Sequence, residues 1–244
     1  MVKRDGRKSM SILIIIPAYN EEETILNAVN KIKKYNEEHN VNYDYVVIND
    51  GSTDKTETIL RENNLNHVEL VHNLGIGGAV QAGYIYAYQN NYDVAVQYDG
   101  DGQHDIAYVS KIVEPIINEG YNMVIGSRFV DGHKSKFQTT GARRMGIKLI
   151  SNVIKFKTKK RIKDTTSGFR AVDKKVIKMF VRDYPVEYPE PISTVNVLLS
   201  GLNVTEVPVE MNERQGGTSS IQSLKSAYYM INVILSILSL KGSK

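Results

Sequence analysis

Ser11-Ile-Leu-Ile-Ile-Ile-Pro-Ala-Tyr-Asn-Glu21 sets the reading of the chain, because an apolar run of strand length ends abruptly in a polar loop. The pattern recurs. Apolar runs at Tyr45–Ile48, Val68–Val71, Val94–Gln97 and Met123–Ile125 alternate with helical stretches at Glu21–Glu38, Asp54–Asn63, Gly77–Gln89 and Ile106–Asn118. Five strands joined by helical crossovers predict an α/β fold with a parallel sheet and helices on both faces. Ligands of such sheets sit outside the carboxyl ends of the strands, so the residues after each apolar run are the candidates for chemistry.

Composition narrows the class. The 244 residues are 41% apolar and 24% charged, which suits a folded soluble core and excludes collagen-like, wholly disordered and polytopic membrane chains. The absence of cysteine excludes disulfides, thiolate-zinc sites, iron-sulfur clusters and a cysteine nucleophile. Lys3, Arg4, Arg7 and Lys8 precede the apolar Ile12–Ile16, which is too short for a signal-peptide core. The net charge of +4 conceals an asymmetry: Arg128 to Arg182 holds 17 Lys and Arg against three Asp, a local balance of +14, and the remainder carries −10. Such a block either faces an anionic partner or forms a solvated helical face.

Among the strand-end loops, Tyr98-Asp-Gly-Asp-Gly-Gln-His104 is the sharpest. Two carboxylates one glycine apart suit a magnesium or manganese ion bridging a pyrophosphate, and the glycines leave room for a phosphate. An ordinary turn is the competing reading. In Asn49-Asp-Gly-Ser-Thr-Asp54, Asp50 is placed to accept from a ribose hydroxyl or base N–H, while Ser52, Thr53 and Asp54 read equally as a helix cap. Gly75, Gly77 and Gly78 follow the third apolar run rather than the first, so they do not make a dinucleotide fingerprint and a Rossmann dehydrogenase is rejected.

Four motifs, in order and spacing, resemble glycosyltransferase family 2: Pro17-Ala-Tyr-Asn-Glu21, Asn49-Asp-Gly-Ser-Thr-Asp54, Asn73-x-Gly-x-Gly-x-Ala79 and Asp99-Gly-Asp101. Gly126-Ser-Arg128, Thr166-Ser-Gly-Phe-Arg170 and Arg214-x-x-Gly217 resemble the branch that contains dolichyl-phosphate mannose synthase and bacterial polyprenyl-phosphate glycosyltransferases. The resemblance implies a GT-A fold, a Rossmann-like, mostly parallel sheet flanked by helices. It implies a metal-dependent, inverting transfer of a sugar from a nucleotide-diphosphate sugar to a polyprenyl phosphate such as undecaprenyl phosphate, for cell-wall or surface polysaccharide synthesis. By the same resemblance Pro17, Tyr19, Glu21, Asp50, Gly75 and Asp99 bind the nucleotide sugar. Asp99, Asp101 and Gln103 hold Mg2+ or Mn2+, and Arg128, Arg143, Arg144 and Arg214 bind the acceptor phosphate. Asp101, Arg128 and Arg214 then carry the catalysis, with Glu190 as a fourth candidate.

Glu190 enters through Tyr188-Pro-Glu-Pro191. A sugar-hydroxyl acceptor on a lipid-linked saccharide would need a general base, for which Glu190 or Glu187 is the candidate, whereas a rigid surface turn is the plain reading. The flanking prolines predict an extended loop there. His104 and His133 carry no assigned role.

The chain divides into a basic tail at 1–10, a GT-A domain at 11–218 and a C-terminal helix at 219–244. Within the domain, 11–128 is the nucleotide-sugar half and 129–218 the acceptor half, with a helix expected at Arg143–Phe156 and a loop at Lys163–Arg170. Ser226–Leu240 is uncharged but shorter than the roughly 20 residues that cross a bilayer. On a helical wheel Lys225, Asn232, Ser236 and Ser239 gather on one side, and Ala227, Ile231, Ile234, Leu235 and Leu238 on the other. That pattern reads as an amphipathic, membrane-associating helix or as a terminal helix closing the core. Peripheral attachment to the cytoplasmic face of the membrane follows from the first reading, with a small membrane subunit as a possible anchor. A non-catalytic nucleotide-sugar or nucleic-acid binding module is the alternative of another class. The basic block has few aromatic residues and no nucleic-acid motif, so no nucleic-acid partner is expected.

Overall fold

The computed structural model describes residues 10–100, 104–130, 141–210 and 223–241. Seven strands form one sheet: β1 (Ile12–Ala18), β2 (Tyr43–Asn49), β3 (His67–Glu69), β4 (Val94–Gln97), β5 (Met123–Ser127), β6 (Arg170–Asp173) and β7 (Val204–Pro208). Eight helices accompany them among the described residues: α1 (Ile25–His39), α2 (Thr56–Glu62), α3 (Gly75–Gln89), α4 (Tyr108–Glu119), α5 (Gly141–Thr158), α6 (Lys174–Arg182), α7 (Pro189–Leu199) and α8 (Ser223–Ser239).

The five apolar runs become β1 to β5, as the punctuation predicts, in the order β3-β2-β1-β4-β6-β5-β7. The expected mostly parallel sheet is what forms, with one reversed strand that the apolar runs did not foretell. β6 lies between β4 and β5 and is antiparallel to both, pairing Gln97 with Arg170 and Ile125 with Arg170. The expected loop at Lys163–Arg170 therefore ends at the first residue of a strand. Because β6 runs backwards, its start lies at the edge where β4 and β5 end, and the residues leading into it join the carboxyl-end loops.

Alternation along β1 sends Ile12, Ile14 and Ile16 to one face and Leu13 and Ile15 to the other, and all five are buried. A strand covered on both faces reads as a continuous apolar run, as Ile12–Ile16 does. On the first face α1 contributes Ile25, Val29 and Ile32, and α4 contributes Val109, Ile112 and Ile116. On the second, α3, α6 and α7 pack through Val80, Tyr84, Phe180 and Val195, with Ile150 and Ile154 of α5 and Val233 and Ile237 of α8 beyond.

Helix α8 thus closes the core along one stripe, while Tyr228, Ile231, Leu235 and Leu238 on another stripe remain exposed. Ile234, grouped with them on the sequence wheel, packs partly against the core. No helix among the described residues is long and apolar enough to cross a membrane.

Gly83 shows how closely α3 approaches β1. A Cβ at Gly83 would lie 2.2 Å from Ile15 Cγ2, an atom fixed by a β-branched side chain on the central strand. Gly83→Ala gains about 1 kcal/mol of helix propensity, but overpacking a core contact costs about 1–3 kcal/mol. The steric cost wins, so urea denaturation should find the variant less stable than wild type.

Candidate active site

The ends of β1 and β2 are knit together by their loops. Asn20, with φ of 55°, accepts from the Thr53 N–H at 2.8 Å, and its own N–H donates to Ser52 Oγ at 3.0 Å. The Glu21 N–H donates to Thr56 Oγ1 and the Glu22 N–H to Asp54. Pro17 lies in β1 paired with Ile48, and Tyr19 projects with half its surface exposed. Glu21 accepts from Thr24 Oγ1 at 2.5 Å.

Asp50 is buried and accepts from the Leu74 N–H at 2.7 Å, at the start of α3. Burial pushes its carboxyl above the ordinary range, and hydrogen bonds from the Leu74 and Gly75 N–H groups oppose that rise. Anchoring to a helix N-terminus is the role this geometry displays. Gly51 beside it has φ of +66°, and a Cβ there would lie 2.9 Å from the Asn73 nitrogen, so glycine lets the second loop touch the third.

Asp99 follows β4 with its side chain one-third exposed. The buried His104 places Nε2 3.5 Å from Asp99 Oδ2 and stacks on Phe169 at a centroid distance of 4.7 Å. Gly168 lies on the other side, where a Cβ would come within 3.0 Å of Asp99 Oδ2 and 3.1 Å of Gln97 Nε2. Asp101 and Gln103 lie outside the described residues, as do Arg214 and the side chain of Arg143. Arg144 is exposed on α5.

Arg128 occupies a buried fork. Its Nε and Nη2 donate to Asp164 at 2.8 and 2.7 Å, Nη2 also donates to Thr166 Oγ1, and its backbone N–H donates to Asp164 at 3.0 Å. Burial works against its charge, but Asp164 outweighs it, with a further contribution from Asp99, and holds the guanidinium above its ordinary pKa. Asp164 is positioned in turn by Glu206 of β7, whose carboxylate accepts from the Lys163 and Asp164 N–H groups at 2.7 and 2.8 Å.

The expectation of an extended loop around Glu190 is corrected. Tyr188 caps α7 with φ of 52°, and Pro189 and Glu190 form its first turn. Prolines are tolerated there because first-turn N–H groups have no intrahelical acceptor. Burial raises the Glu190 pKa above 4.5, Arg170 and the residue's own N–H lower it, and Asp99 raises it, so Glu190 feels Asp99. Glu187 is exposed in the preceding loop.

Sequence reasoning missed the residues that organise this arrangement. Arg170 is wholly buried: Nη1 donates to the Glu190 carbonyl at 3.1 Å and Ser193 Oγ at 3.0 Å, while Nε and Nη2 donate to the Ser167 carbonyl. Gly168 and Arg170 sat inside a quoted motif, so their signal was present without a role. Asp164 and Glu206 had no local signal, because each acts across 36 or more residues of chain.

A divalent cation fits what is present. Asp99 offers a hard oxygen donor at a strand end, Gly168 leaves the space beside it open, and the buried Gln97 Oε1 has no hydrogen-bond partner among the described residues. No group of three or more His, Asp or Glu closes on one point among the described residues. A single carboxylate of this kind suits an ion that takes few protein ligands and completes its shell with substrate phosphates.

The model of glycosyl transferase family 2 matches residues 13–181. The UDP-N-acetylglucosamine–dolichyl-phosphate N-acetylglucosaminyltransferase of Methanococcus voltae is 32% identical over 82% of this chain and 84% of its own length. The undecaprenyl-phosphate mannosyltransferase of Micrococcus luteus is 28% identical over 92% and 93%, and the polyprenol monophosphomannose synthase of Mycolicibacterium smegmatis 27% over 88% and 82%. Among solved structures, glucosyl-3-phosphoglycerate synthase from Mycobacterium tuberculosis in complex with Mn2+, UDP and phosphoglyceric acid superposes with a TM-score of 0.66, covering 94% of this chain and 78% of that one at 19% identity. That likeness concerns the fold.

Two outcomes follow from the buried charges. Asp164→Asn leaves Arg128 buried beside a neutral partner and should lower stability by about 3–5 kcal/mol in chemical denaturation. Glu190→Gln removes a carboxylate whose folded pKa lies above its unfolded one, so the wild-type protein loses stability relative to the variant as pH rises from 4.5 through the folded value. Thermal melts across pH should show the Gln variant gaining over that window and no difference below it.

Proposed function

The chain belongs to glycosyltransferase family 2 and is a glycosyltransferase, and from that membership we propose that it transfers a sugar from a nucleotide-diphosphate sugar to a polyprenyl phosphate. The observation that carries the acceptor is a shared one. Three relatives, each aligned over more than four-fifths of this chain, are named for a sugar joined to a dolichyl, polyprenol or undecaprenyl phosphate.

The donor spans the ends of β1, β2 and β4, with Pro17, Tyr19, Glu21, Asp50 and Gly75 on the nucleoside side and Asp99 at the pyrophosphate. Asp99, Asp101 and Gln103 would hold a magnesium or manganese ion, which would supply Lewis-acid stabilisation of the departing diphosphate. The acceptor phosphate is already anionic, so one of its oxygens attacks the anomeric carbon without a base. The bond from that carbon to the donor's β-phosphate oxygen breaks, and its electron pair leaves with the nucleotide diphosphate. A single in-line displacement inverts the anomeric configuration. The protein's task is to orient the two phosphates and offset their repulsion.

Arg143, Arg144 and Arg214 serve the acceptor phosphate. Arg128 joins them in the acceptor-phosphate role, oriented by Asp164 and adding a charge that offsets Asp99. The acceptor half, 129–218, then works beside a bilayer, with the enzyme attached peripherally.

The raised pKa of Glu190, to which burial and Asp99 contribute, favours one second reading, transfer to a sugar hydroxyl with Glu190 as base. A radiolabelled transfer assay with manganese or magnesium, a panel of nucleotide sugars and undecaprenyl phosphate separates the two. The lipid-phosphate reaction gives a product extractable into organic solvent, lowered at least a hundredfold by Asp101→Ala and by less than tenfold by Glu190→Gln. Loss of turnover in Glu190→Gln with donor binding intact, and no organic-phase product from wild type, would move the acceptor to a hydroxyl.

A further inference from the structure

Helices α5 and α8 pack side by side and run in the same direction. A Cβ on Gly146 would overlap Met230 Sδ, and eleven residues on from Gly146, Lys157 Nζ donates to the Leu238 carbonyl at 2.8 Å. Each helix turns one stripe inward, Ile150 and Ile154 from α5 and Val233 and Ile237 from α8.

Each helix also carries a second apolar stripe that nothing covers among the described residues. On α5 it is Met145, Leu149 and Phe156, exposed by 71%, 49% and 71%. On α8 it is Tyr228, Ile231, Leu235 and Leu238, exposed by 70%, 58%, 59% and 44%. At about 100° per residue, the α5 stripe lies roughly 60–100° round from the Gly146–Met230 contact in one sense, and the α8 stripe roughly 80–160° in the other. For parallel neighbours these opposite rotations point both stripes to the same side of the pair, away from the core. The result is one apolar face two helices wide, beyond the isolated apolar residues that ordinary surfaces display.

Charge selects its occupant. Arg144, Lys148 and Lys155 are exposed along the outer flank of α5, and Lys159, Lys160 and Arg161 are exposed just beyond its end. Residues 141–163 contain nine Lys or Arg and no Asp or Glu, and residues 223–241 contain no acidic residue either. A second copy of the chain would bring two such basic flanks together. An apolar strip beside a row of cations matches an anionic lipid leaflet, in which acyl chains receive the strip and headgroups pair with the row.

We propose that the paired outer faces of α5 and α8 form one docking surface for an anionic bilayer. This deepens the proposed function, on which it rests only in that a lipid-phosphate acceptor requires the enzyme at a membrane surface. It also makes both sequence readings of the terminal helix true at once, since one stripe closes the core and another meets lipid.

The full-length protein is tested by flotation with vesicles of phosphatidylglycerol and phosphatidylcholine, against phosphatidylcholine alone. Wild type should bind the mixed vesicles and release with added salt. Phe156→Glu with Leu235→Glu, at positions already exposed, should weaken binding at least tenfold. Lys148→Glu with Lys155→Glu should do the same, since each cation near an anionic surface contributes about fivefold. Circular dichroism and thermal melts of all variants should match wild type, as should their turnover of a short, water-soluble isoprenyl phosphate. Vesicle binding unchanged in both folded double variants overturns the proposal, as does a wild-type dimer that these substitutions dissociate. Vesicle binding by wild type with no sugar transfer to any isoprenyl phosphate overturns the reaction and leaves the surface standing.

Discussion

Arg170 is a full positive charge with no exposure to water, and the arrangement around Asp99 depends on how that charge is satisfied. A buried guanidinium is tolerated only when its N–H groups find acceptors and a counter-charge lies near. Two backbone carbonyls, of Ser167 and Glu190, and the Ser193 hydroxyl supply the acceptors, and the Glu190 carboxylate supplies the charge. These partners come from different elements. Ser167 belongs to the loop that sets Gly168 against Asp99, and Glu190 and Ser193 begin α7. One side chain therefore ties the loop beside Asp99 to the first turn of α7, which carries Glu190. It does so only because β6 is antiparallel, since a parallel strand would carry Arg170 to the opposite edge of the sheet.

Arg128 is satisfied differently, by a direct buried ion pair with Asp164. Glu206 of β7 fixes the backbone at Lys163 and Asp164, Asp164 fixes Arg128, and the Arg128 charge bears on Asp99. Both guanidinium groups are buried, Arg170 wholly and Arg128 nearly so. The nucleotide side has no comparable buried ion pair among the described residues. There, short polar side chains bridge neighbouring loops through backbone groups, as Asn20 does with Thr53 and Asp50 with Leu74.

This difference explains what the sequence disclosed. The first half was legible because its signals are local: β1, β2 and β4 are apolar runs followed at once by their functional loops, and Ile12–Ile16 is buried on both faces. The second half was not, for two physical reasons. β6 sets only Ala171 and Val172 between the charged Arg170 and Asp173, and β7 carries Thr205 and Glu206 and is partly exposed throughout, so neither makes an apolar run. Its decisive contacts are also long-range, so Arg170 read as part of a motif and Asp164 as one acid in a basic block. Tyr188-Pro-Glu-Pro191 misled in the other direction, because prolines that break a helix interior are compatible with a first turn. Helix α8 was legible as a helix but not in orientation, since apolar residues fill two stripes and periodicity alone does not say which one meets the core.

The charges gathered near Asp99 also limit what the site does when it fills. Asp99, Asp164 and Glu190 stand against Arg128 and Arg170, so the described groups carry one negative charge in excess when all are ionised. Glu190 registers that excess, because Asp99 is among the causes that raise its pKa. Positive charge held at Asp99 acts on Glu190 in the opposite direction, since a bound cation reverses the local field of the carboxylates that hold it. Glu190 thus belongs to the same electrostatic set as Asp99, with Arg170 acting against the rise. In the lipid-phosphate reaction this coupling leaves Glu190 as part of the field around the donor, because an anionic acceptor has no proton to give up.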